Sequence, residues 1–126
     1  MGRMYRKQCP ECGTWNHQYE IKSVKKKDEN TLEVVRHFFL CGHYVTFYQP
    51  IFRGKSWRGY CYTTWYKRDS DGKIVIASIP EHRAIWEQAH GELLKDWDVH
   101  HINRVKDDNR IENLIAMPSK AHSVWM

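Results

Sequence analysis

Residues 98–117 read DVHHINRVKDDNRIENLIAM, and this stretch decides the fold of the C-terminal part of the chain. Two short strand-like runs, residues 98–102 and 114–117, flank the polar segment 107–113, which favours two strands joined by a loop. Ser119 comes just after the second run, where its hydroxyl can cap the first turn of a helix. The stretch therefore predicts the order strand, loop, strand, helix.

Upstream of this stretch, the sequence predicts a β-hairpin and then a helix. Residues 59–66 and 73–76 are strand-like, and the turn-forming segment 69–72 (Asp-Ser-Asp-Gly) lies between them. Pro80 predicts the start of the helix, because its missing N–H costs nothing in a first turn. Gly91 predicts the end of the helix.

The helix predicted over residues 81–90 has one apolar and one polar side. Ile85 and Ala89 lie one turn apart and are expected to form the buried stripe. Arg83 is expected either to contact a phosphate or to form an ion pair with Glu87, four residues further along the helix.

Taken together, these motifs resemble those of an HNH nuclease of the phage and homing type. The resemblance rests on Val99-His-His-Ile-Asn103, on Asp108-Asn-Arg-Ile-Glu-Asn-Leu114 and on His122, and it covers residues 59–126. It implies a ββα-metal module, in which a strand pair and a helix hold one divalent ion against a scissile phosphate.

The resemblance also implies roles for individual side chains. His101 would be the general base that activates water, a task suited to imidazole near neutral pH. His100 and His122 would hold the catalytic ion. Asn113 would tie the loop to the strand that bears the base and so orient His101, and Asn109 would pin the same loop. Two imidazoles and water favour Mg²⁺ or Mn²⁺ over tightly held zinc at this site.

One residue departs from the family pattern. Arg104 stands where the family usually has glycine after His-His-Ile-Asn. Either the turn differs here, or the arginine contacts DNA.

The N-terminal part of the chain carries a separate set of metal-binding residues. Cys9 and Cys12 have the C-x-x-C spacing that lets two thiolates meet on one tetrahedral ion, and Cys41-Gly-His43 begins a second half-site. Cys61 is the alternative to His43 as fourth ligand, although it reads more simply as a small core residue. The spacing predicts structural Zn²⁺.

Strand-like runs connect the two half-sites. Residues 19–24 form a polar, strand-like run, residues 31–40 are rich in β-branched and aromatic side chains, and residues 44–48 are a third candidate strand. Residues 25–30 form a charged loop between the first two. Residues 7–50 therefore resemble a zinc ribbon. The expected fold class is α+β: a three-stranded zinc ribbon at residues 1–50, followed by an HNH nuclease domain at residues 51–126.

The charge is unevenly distributed along the chain, which has 126 residues and a formal net charge of +5. Residues 1–70 hold 13 basic and 6 acidic side chains, whereas residues 71–126 hold 7 and 9. Basic surfaces supply sequence-independent affinity for nucleic acids, although charge alone does not decide the partner. The expected DNA contacts are Lys25, Lys26, Lys27, Arg53, Lys55, Arg58, Arg83 and Arg104.

The composition also restricts the compartment. No apolar run approaches the roughly 18 residues of a membrane span, and the basic residues 1–7 have no apolar run behind them. We therefore expect a cytoplasmic protein, in a bacterial or phage-infected cell, whose four cysteines bind metal rather than form disulfides.

These features predict a metal-dependent DNA endonuclease, with a homodimer or a larger phage assembly as further partners. Two alternatives belong to other functional classes. The chain could be a non-catalytic DNA-binding protein that keeps the same scaffold, or an interaction module whose zinc ribbon docks onto a larger assembly.

Overall fold

A computed structural model describes residues 8–120 of the chain. The strands are β1 (Tyr19–Asp28), β2 (Thr31–Phe38), β3 (Tyr44–Pro50), β4 (Arg53–Lys55), β5 (Cys61–Arg68), β6 (Ile74–Pro80), β7 (Trp97–His101) and β8 (Leu114–Pro118). Helix α1 (Glu81–His90) follows β6, and a 3₁₀ turn (Ile111–Asn113) precedes β8. The predicted α+β class is confirmed, with strands as the main component.

The sheet corrects one prediction. Strands β1, β2 and β3 pair antiparallel as expected, but they do not form a separate three-stranded ribbon. They belong to a six-stranded sheet with the order β3-β2-β1-β6-β5-β4. The sheet continues beyond β1 because β6 pairs with it at one register position, Ile21 opposite Ile74.

The contacts within the chain divide it into two compact units. Unit 1 contains the described residues 8–51 and 65–77, and unit 2 contains residues 52–64 and 78–120. The chain therefore enters unit 2 close to the predicted boundary after residue 50, returns to unit 1 at residue 65 and leaves it again after residue 77.

The two folded units do not correspond to the basic and acidic parts of the sequence. The basic run that contains Arg53, Lys55 and Arg58 belongs to unit 2, together with the slightly acidic C-terminal segment. Among the described residues, unit 1 holds eight basic and seven acidic side chains, and unit 2 holds nine and eight. The contrast between a basic and an acidic half of the sequence does not persist as a contrast between the folded units.

The core of unit 1 forms where the metal-binding residues meet the sheet. Cys9, Phe38 and Val45 are buried together, and Tyr19 and Phe47 pack against them. Cys9 is thus anchored to β2 and β3 by apolar packing.

The core of unit 2 lies between α1 and the β7–β8 hairpin. Leu93, Val99 and Leu114 are buried there, and Ile85 and Trp86 of the helix pack against them. Strands β7 and β8 pair antiparallel, with His101 opposite Leu114. This packing fixes the histidine-bearing strand against the helix.

Helix α1 begins and ends where the sequence predicts, at Pro80 and at Gly91, whose N–H donates to Glu87 O at 2.8 Å. The predicted buried stripe is wrong at Ala89, which is exposed, while Ala84 and Glu87 are buried. Glu87 can be buried because its carboxylate accepts a hydrogen bond from the Leu93 backbone N–H at 2.8 Å.

Candidate metal centre and nuclease site

The four predicted zinc ligands of unit 1 come together. One ligand atom from each of Cys9, Cys12, Cys41 and His43 can be chosen so that all lie within 4.8 Å of one another. Cys61 is not in the cluster, so His43 is the fourth member. Three thiolates and one imidazole form a donor set that fits tetrahedral zinc.

Two tight turns present these ligands. Gly13 N–H donates to Cys9 O and Gly42 N–H donates to Phe38 O, both at 2.8 Å. Both glycines have positive φ, 73° and 77°, which a residue with a side chain adopts only with strain. The turns point the sulfur atoms toward one place.

Asn16 links the two half-sites and was not singled out from the sequence. Its Oδ1 accepts hydrogen bonds from the backbone N–H groups of Leu40 (2.7 Å) and Cys41 (3.1 Å). Its Nδ2 donates to Thr14 O at 3.0 Å. The side chain is buried, and both its oxygen and its nitrogen form hydrogen bonds. No local sequence pattern indicates these bonds, because two of the partners lie far along the chain.

The protonation of Cys12 suits a metal ligand. Hydrogen bonds with the side chain and backbone of Thr14 lower the pKa of this thiol to about 6. A thiol with this pKa is mostly thiolate at neutral pH, and the thiolate is the form that binds metal.

In unit 2, the adjacent residues His100 and His101 on β7 are both buried, with 8% and 7% of their surface exposed. Neighbouring residues of a strand alternate sides, yet both histidines line the same cavity of about 560 Å³. His82 and Arg83 of α1 and Arg104 also line this cavity. His122 lies outside the described residues.

His101 is held by a chain of hydrogen bonds. Its Nε2 lies 2.6 Å from Asn109 Oδ1, and Asn109 Nδ2 donates to Glu81 Oε1 at 3.1 Å. Since the Glu81 carboxylate only accepts, the Asn109 amide must present its oxygen to His101. Nε2 of His101 therefore carries a proton, and in the neutral imidazole Nδ1 is the nitrogen with the lone pair.

Asn113 organises the loop that follows β7. Its Oδ1 accepts from Asn103 N (3.1 Å), and its Nδ2 donates to Asn103 Oδ1 (2.9 Å) and Asp108 O (2.8 Å). The Ile102 backbone N–H donates to Asn113 O at 2.8 Å. Asn113 thus ties the two ends of the loop together, while the side chain that contacts His101 is that of Asn109.

We expect Asn113→Ala to lower the free energy of unfolding of unit 2 by about 2–4 kcal/mol, because three side-chain hydrogen bonds of a buried residue are lost. Thermal unfolding followed by circular dichroism measures this. Glu112→Ala is the matched control, since it removes only an exposed ion pair with Arg110 (3.7 Å). Equal melting temperatures for the two variants would contradict the prediction.

His82 is a third imidazole beside the histidine pair. Its ring centroid lies 4.6 Å from that of His101, and its Nδ1 is buried with no hydrogen-bond partner among the described residues. Burial, reinforced by the nearby His101 and His100, lowers the pKa of His82 to about 4. The ring is therefore neutral at neutral pH. Its position in the first turn of α1 gave no sign of this contact in the sequence.

The residues predicted to contact DNA fall on both units. In unit 1, Lys25 forms an ion pair with Glu33 and Lys26 with Glu29 (3.4 Å each), and Lys27 lies over the Tyr48 ring. In unit 2, most of the set contact neighbours on the same unit: Arg53 with Glu81 (3.8 Å), Lys55 with Asp107 (3.1 Å), Arg83 with Glu87 (3.8 Å) and Arg58 with Trp57. Arg83 thus has the ion pair that the sequence offered as its alternative role.

Arg104 occupies a left-handed backbone conformation, with φ of 63°. Its N–H donates to His101 O at 3.1 Å, which closes the turn after β7. The turn therefore keeps the conformation that favours glycine although the residue is arginine.

Comparison with known proteins finds one match, and it covers part of unit 2. Residues 81–124, about a third of the chain, match the family described as HNH endonuclease. No curated protein and no solved structure matches the chain. The matched segment begins with α1 and includes both strands of the β7–β8 hairpin, so the resemblance to HNH nucleases seen in the sequence is confirmed for this segment.

Two further observations concern the described part of the chain. Cys9, Cys12, Cys41 and His43 are the only group of three or more metal-binding side chains found among residues 8–120. No helix in the same range has the length and apolar character needed to cross a membrane.

Proposed function

We propose that this protein is a metal-dependent DNA endonuclease whose general base is His101. The observation that carries the proposal is the bond from His101 Nε2 to Asn109, which leaves Nδ1 with its lone pair. In the proposed step, Nδ1 takes a proton from a water molecule as the water attacks the phosphorus. The second hydrogen bond, from Asn109 to Glu81, keeps the ring in this orientation.

His100 and His122 are proposed as the ligands of a catalytic Mg²⁺ or Mn²⁺. His100 reaches the same cavity as His101, which supports its part of the assignment. When bound, the ion would supply positive charge to the scissile phosphate and to the departing oxygen. The role of Asn113 in this proposal is to hold the loop that supplies Asn109. The zinc cluster of unit 1 is proposed to be structural.

Plasmid nicking tests the proposal. The purified protein should convert supercoiled plasmid to the open-circular form when Mg²⁺ or Mn²⁺ is added, and it should not do so in buffer without added Mg²⁺ or Mn²⁺. Absence of nicking over a wide range of metal and protein concentrations would reject the enzyme and leave the non-catalytic DNA-binding protein as the better candidate. Association with one protein partner that is insensitive to salt and free of DNA would favour the interaction module.

Arg104 is proposed to contact the DNA backbone from the rim of the cavity. Its left-handed conformation costs about 1–2 kcal/mol relative to glycine. Glycine in turn loses about 0.4–1 kcal/mol through greater freedom of the unfolded chain. Replacement by glycine should therefore slightly raise the free energy of unfolding of unit 2. The arginine at this position thus lowers the stability of the unit.

We expect Arg104→Gly to raise the melting temperature by a few degrees while reducing cleavage about 10- to 100-fold, the loss typical of one charged contact. Arg104→Lys is the control, since it keeps both the backbone strain and the charge. Melting curves and nicking rates for the three proteins provide the measurement. Full cleavage by the glycine variant would show that Arg104 does not contact the substrate.

A further inference from the structure

The β4–β5 hairpin ends in an exposed tryptophan. Ser56 N–H donates to Tyr60 O at 2.8 Å and Gly59 N–H donates to Ser56 O at 3.0 Å, which closes a tight turn. Trp57 lies in this turn with 90% of its surface exposed, more than any other large hydrophobic residue within residues 8–120. Single exposed apolar residues are common, so exposure alone assigns no role.

The hairpin is attached to the loop of the nuclease site. Lys55 Nζ lies 3.1 Å from Asp107 Oδ2, and Lys106 Nζ donates to Arg58 O at 3.3 Å. These two contacts join both sides of the turn to neighbouring residues of the loop between β7 and β8. Trp57 is therefore presented from a braced turn within unit 2, not from a free loop.

Aromatic rings lead from the hairpin to the histidines. Lys106 Nζ lies 5.0 Å from the centre of the Tyr60 ring, and Tyr60 is 6.1 Å from His82 between ring centroids. His82 in turn lies 4.6 Å from His101. Tyr60 and Lys106 both line the cavity that contains His100 and His101. The tip of the hairpin is thus only three residues along the chain from the wall of the candidate nuclease site.

The surroundings of Trp57 match one kind of ligand. The Arg58 guanidinium lies 5.0 Å from the indole centre, and Arg53 and Lys55 precede it on β4. A flat aromatic face among cations is the combination with which proteins stack nucleic-acid bases beside a neutralised phosphate backbone. Aromatic and apolar side chains at such positions also insert between base steps.

We propose that Trp57 stacks on a base of the DNA close to the phosphodiester that enters the cavity. This inference rests on the proposed nuclease function for the position of the DNA. Trp57 and Arg58 then have different tasks, because the indole binds a base through its face and the guanidinium binds the phosphate charge. These tasks predict different dependences on salt.

Binding of single-stranded and duplex oligonucleotides tests this, with every variant made in His101→Ala protein so that no cleavage occurs. Trp57→Ala should weaken binding about 5- to 100-fold with an unchanged slope of log affinity against log salt. Trp57→Phe should retain most of the affinity. Arg58→Ala should instead reduce the slope by about one. Leu94→Ala is the matched control, since Leu94 is an exposed apolar residue of unit 2 (64%) outside the hairpin.

Fluorescence provides a second readout, taken on the Trp57→Phe variant at a DNA concentration at which that variant is shown to be bound. The chain has six tryptophans, so the change on DNA binding is compared between the Trp57→Phe variant and its parent. We expect the quenching caused by DNA to fall substantially in the variant. Unchanged affinity of Trp57→Ala, or unchanged quenching in Trp57→Phe, would overturn the inference.

The outcome separates this inference from the proposed function. Nicking by the unmodified protein together with normal binding by Trp57→Ala would remove the stacking role alone. Loss of binding by Trp57→Ala in a protein that never nicks would remove the enzymatic role alone. Failure of the parent protein to bind either oligonucleotide would reject both.

Discussion

His101→Ala is expected to reduce the rate of DNA cleavage by about 10²–10⁴-fold, the contribution usually made by a positioned general base. The side chain is the only described group that combines burial, a place in the cavity and a fixed tautomer with Nδ1 available. The measurement is the nicking rate of supercoiled plasmid at saturating Mg²⁺ or Mn²⁺. Affinity for DNA should change little, since the imidazole acts on water.

His90→Ala is the matched control for this experiment. His90 is also a histidine of unit 2, but it is exposed at the end of α1 and is not among the residues that line the cavity. Its variant should cleave at the parental rate. If His101→Ala cleaves as fast as His90→Ala while both remain folded, His101 is not the base and the enzyme proposal loses its main support.

Removal of zinc is expected to unfold unit 1. Structural zinc in small domains contributes about 10–16 kcal/mol of apparent binding free energy, which equals or exceeds the whole stability of a typical domain, about 5–15 kcal/mol. Cys9 is both a predicted ligand and part of the core of unit 1, so loss of the metal disturbs the packing around Phe38 directly. The purified protein should carry one zinc ion per chain.

Substitution of single cysteines tests which of them bind zinc. Cys12→Ser and Cys41→Ser should lose the zinc ion, as measured by native mass spectrometry, and should lose the cooperative melting of unit 1. Cys61→Ser should keep both, because Cys61 lies outside the cluster. Loss of zinc from Cys61→Ser would show that the ligand set is wrong.

Chelation should distinguish the two metals of the proposal. Mild EDTA should stop cleavage and leave the fold intact, whereas a chelator strong enough to remove zinc should melt unit 1. A single chelator concentration at which cleavage and fold are lost together would contradict the division into an exchangeable catalytic ion and a structural zinc ion.

The parts of the fold that could be predicted from the sequence are those specified locally. The C-x-x-C spacing and the Cys41-Gly-His43 turn fix sulfur and nitrogen positions within a few residues, and Pro80 and Gly91 mark the ends of one helix. The six-stranded sheet was not predicted, because the pairing of Ile21 with Ile74 joins segments more than fifty residues apart. Alternation along β1 indicates a strand but not its second neighbour.

The candidate site shows the same limit at the level of side chains. The pattern predicted that Asn113 orients His101 and that Asn109 pins the loop, whereas the side chain in contact with His101 is that of Asn109. That contact, and the ring of His82 against His101, depend on how α1 packs against the β7–β8 hairpin. Asn16 is similar, since its carbonyl oxygen serves residues 24 and 25 positions away.

Unit 1 is built from two separate segments of the chain, and this restricts where the chain can be divided or recombined. A cut after residue 50, at the boundary that the sequence suggests, would leave residues 65–77 with the nuclease fragment and their partner strand β1 with the other fragment. The nuclease fragment would then expose the backbone edge of β6 that now pairs with β1, a ready template for aggregation. The segments of unit 1 and unit 2 therefore alternate along the sequence. A recombination event that keeps both units intact must exchange all of residues 8–120 together.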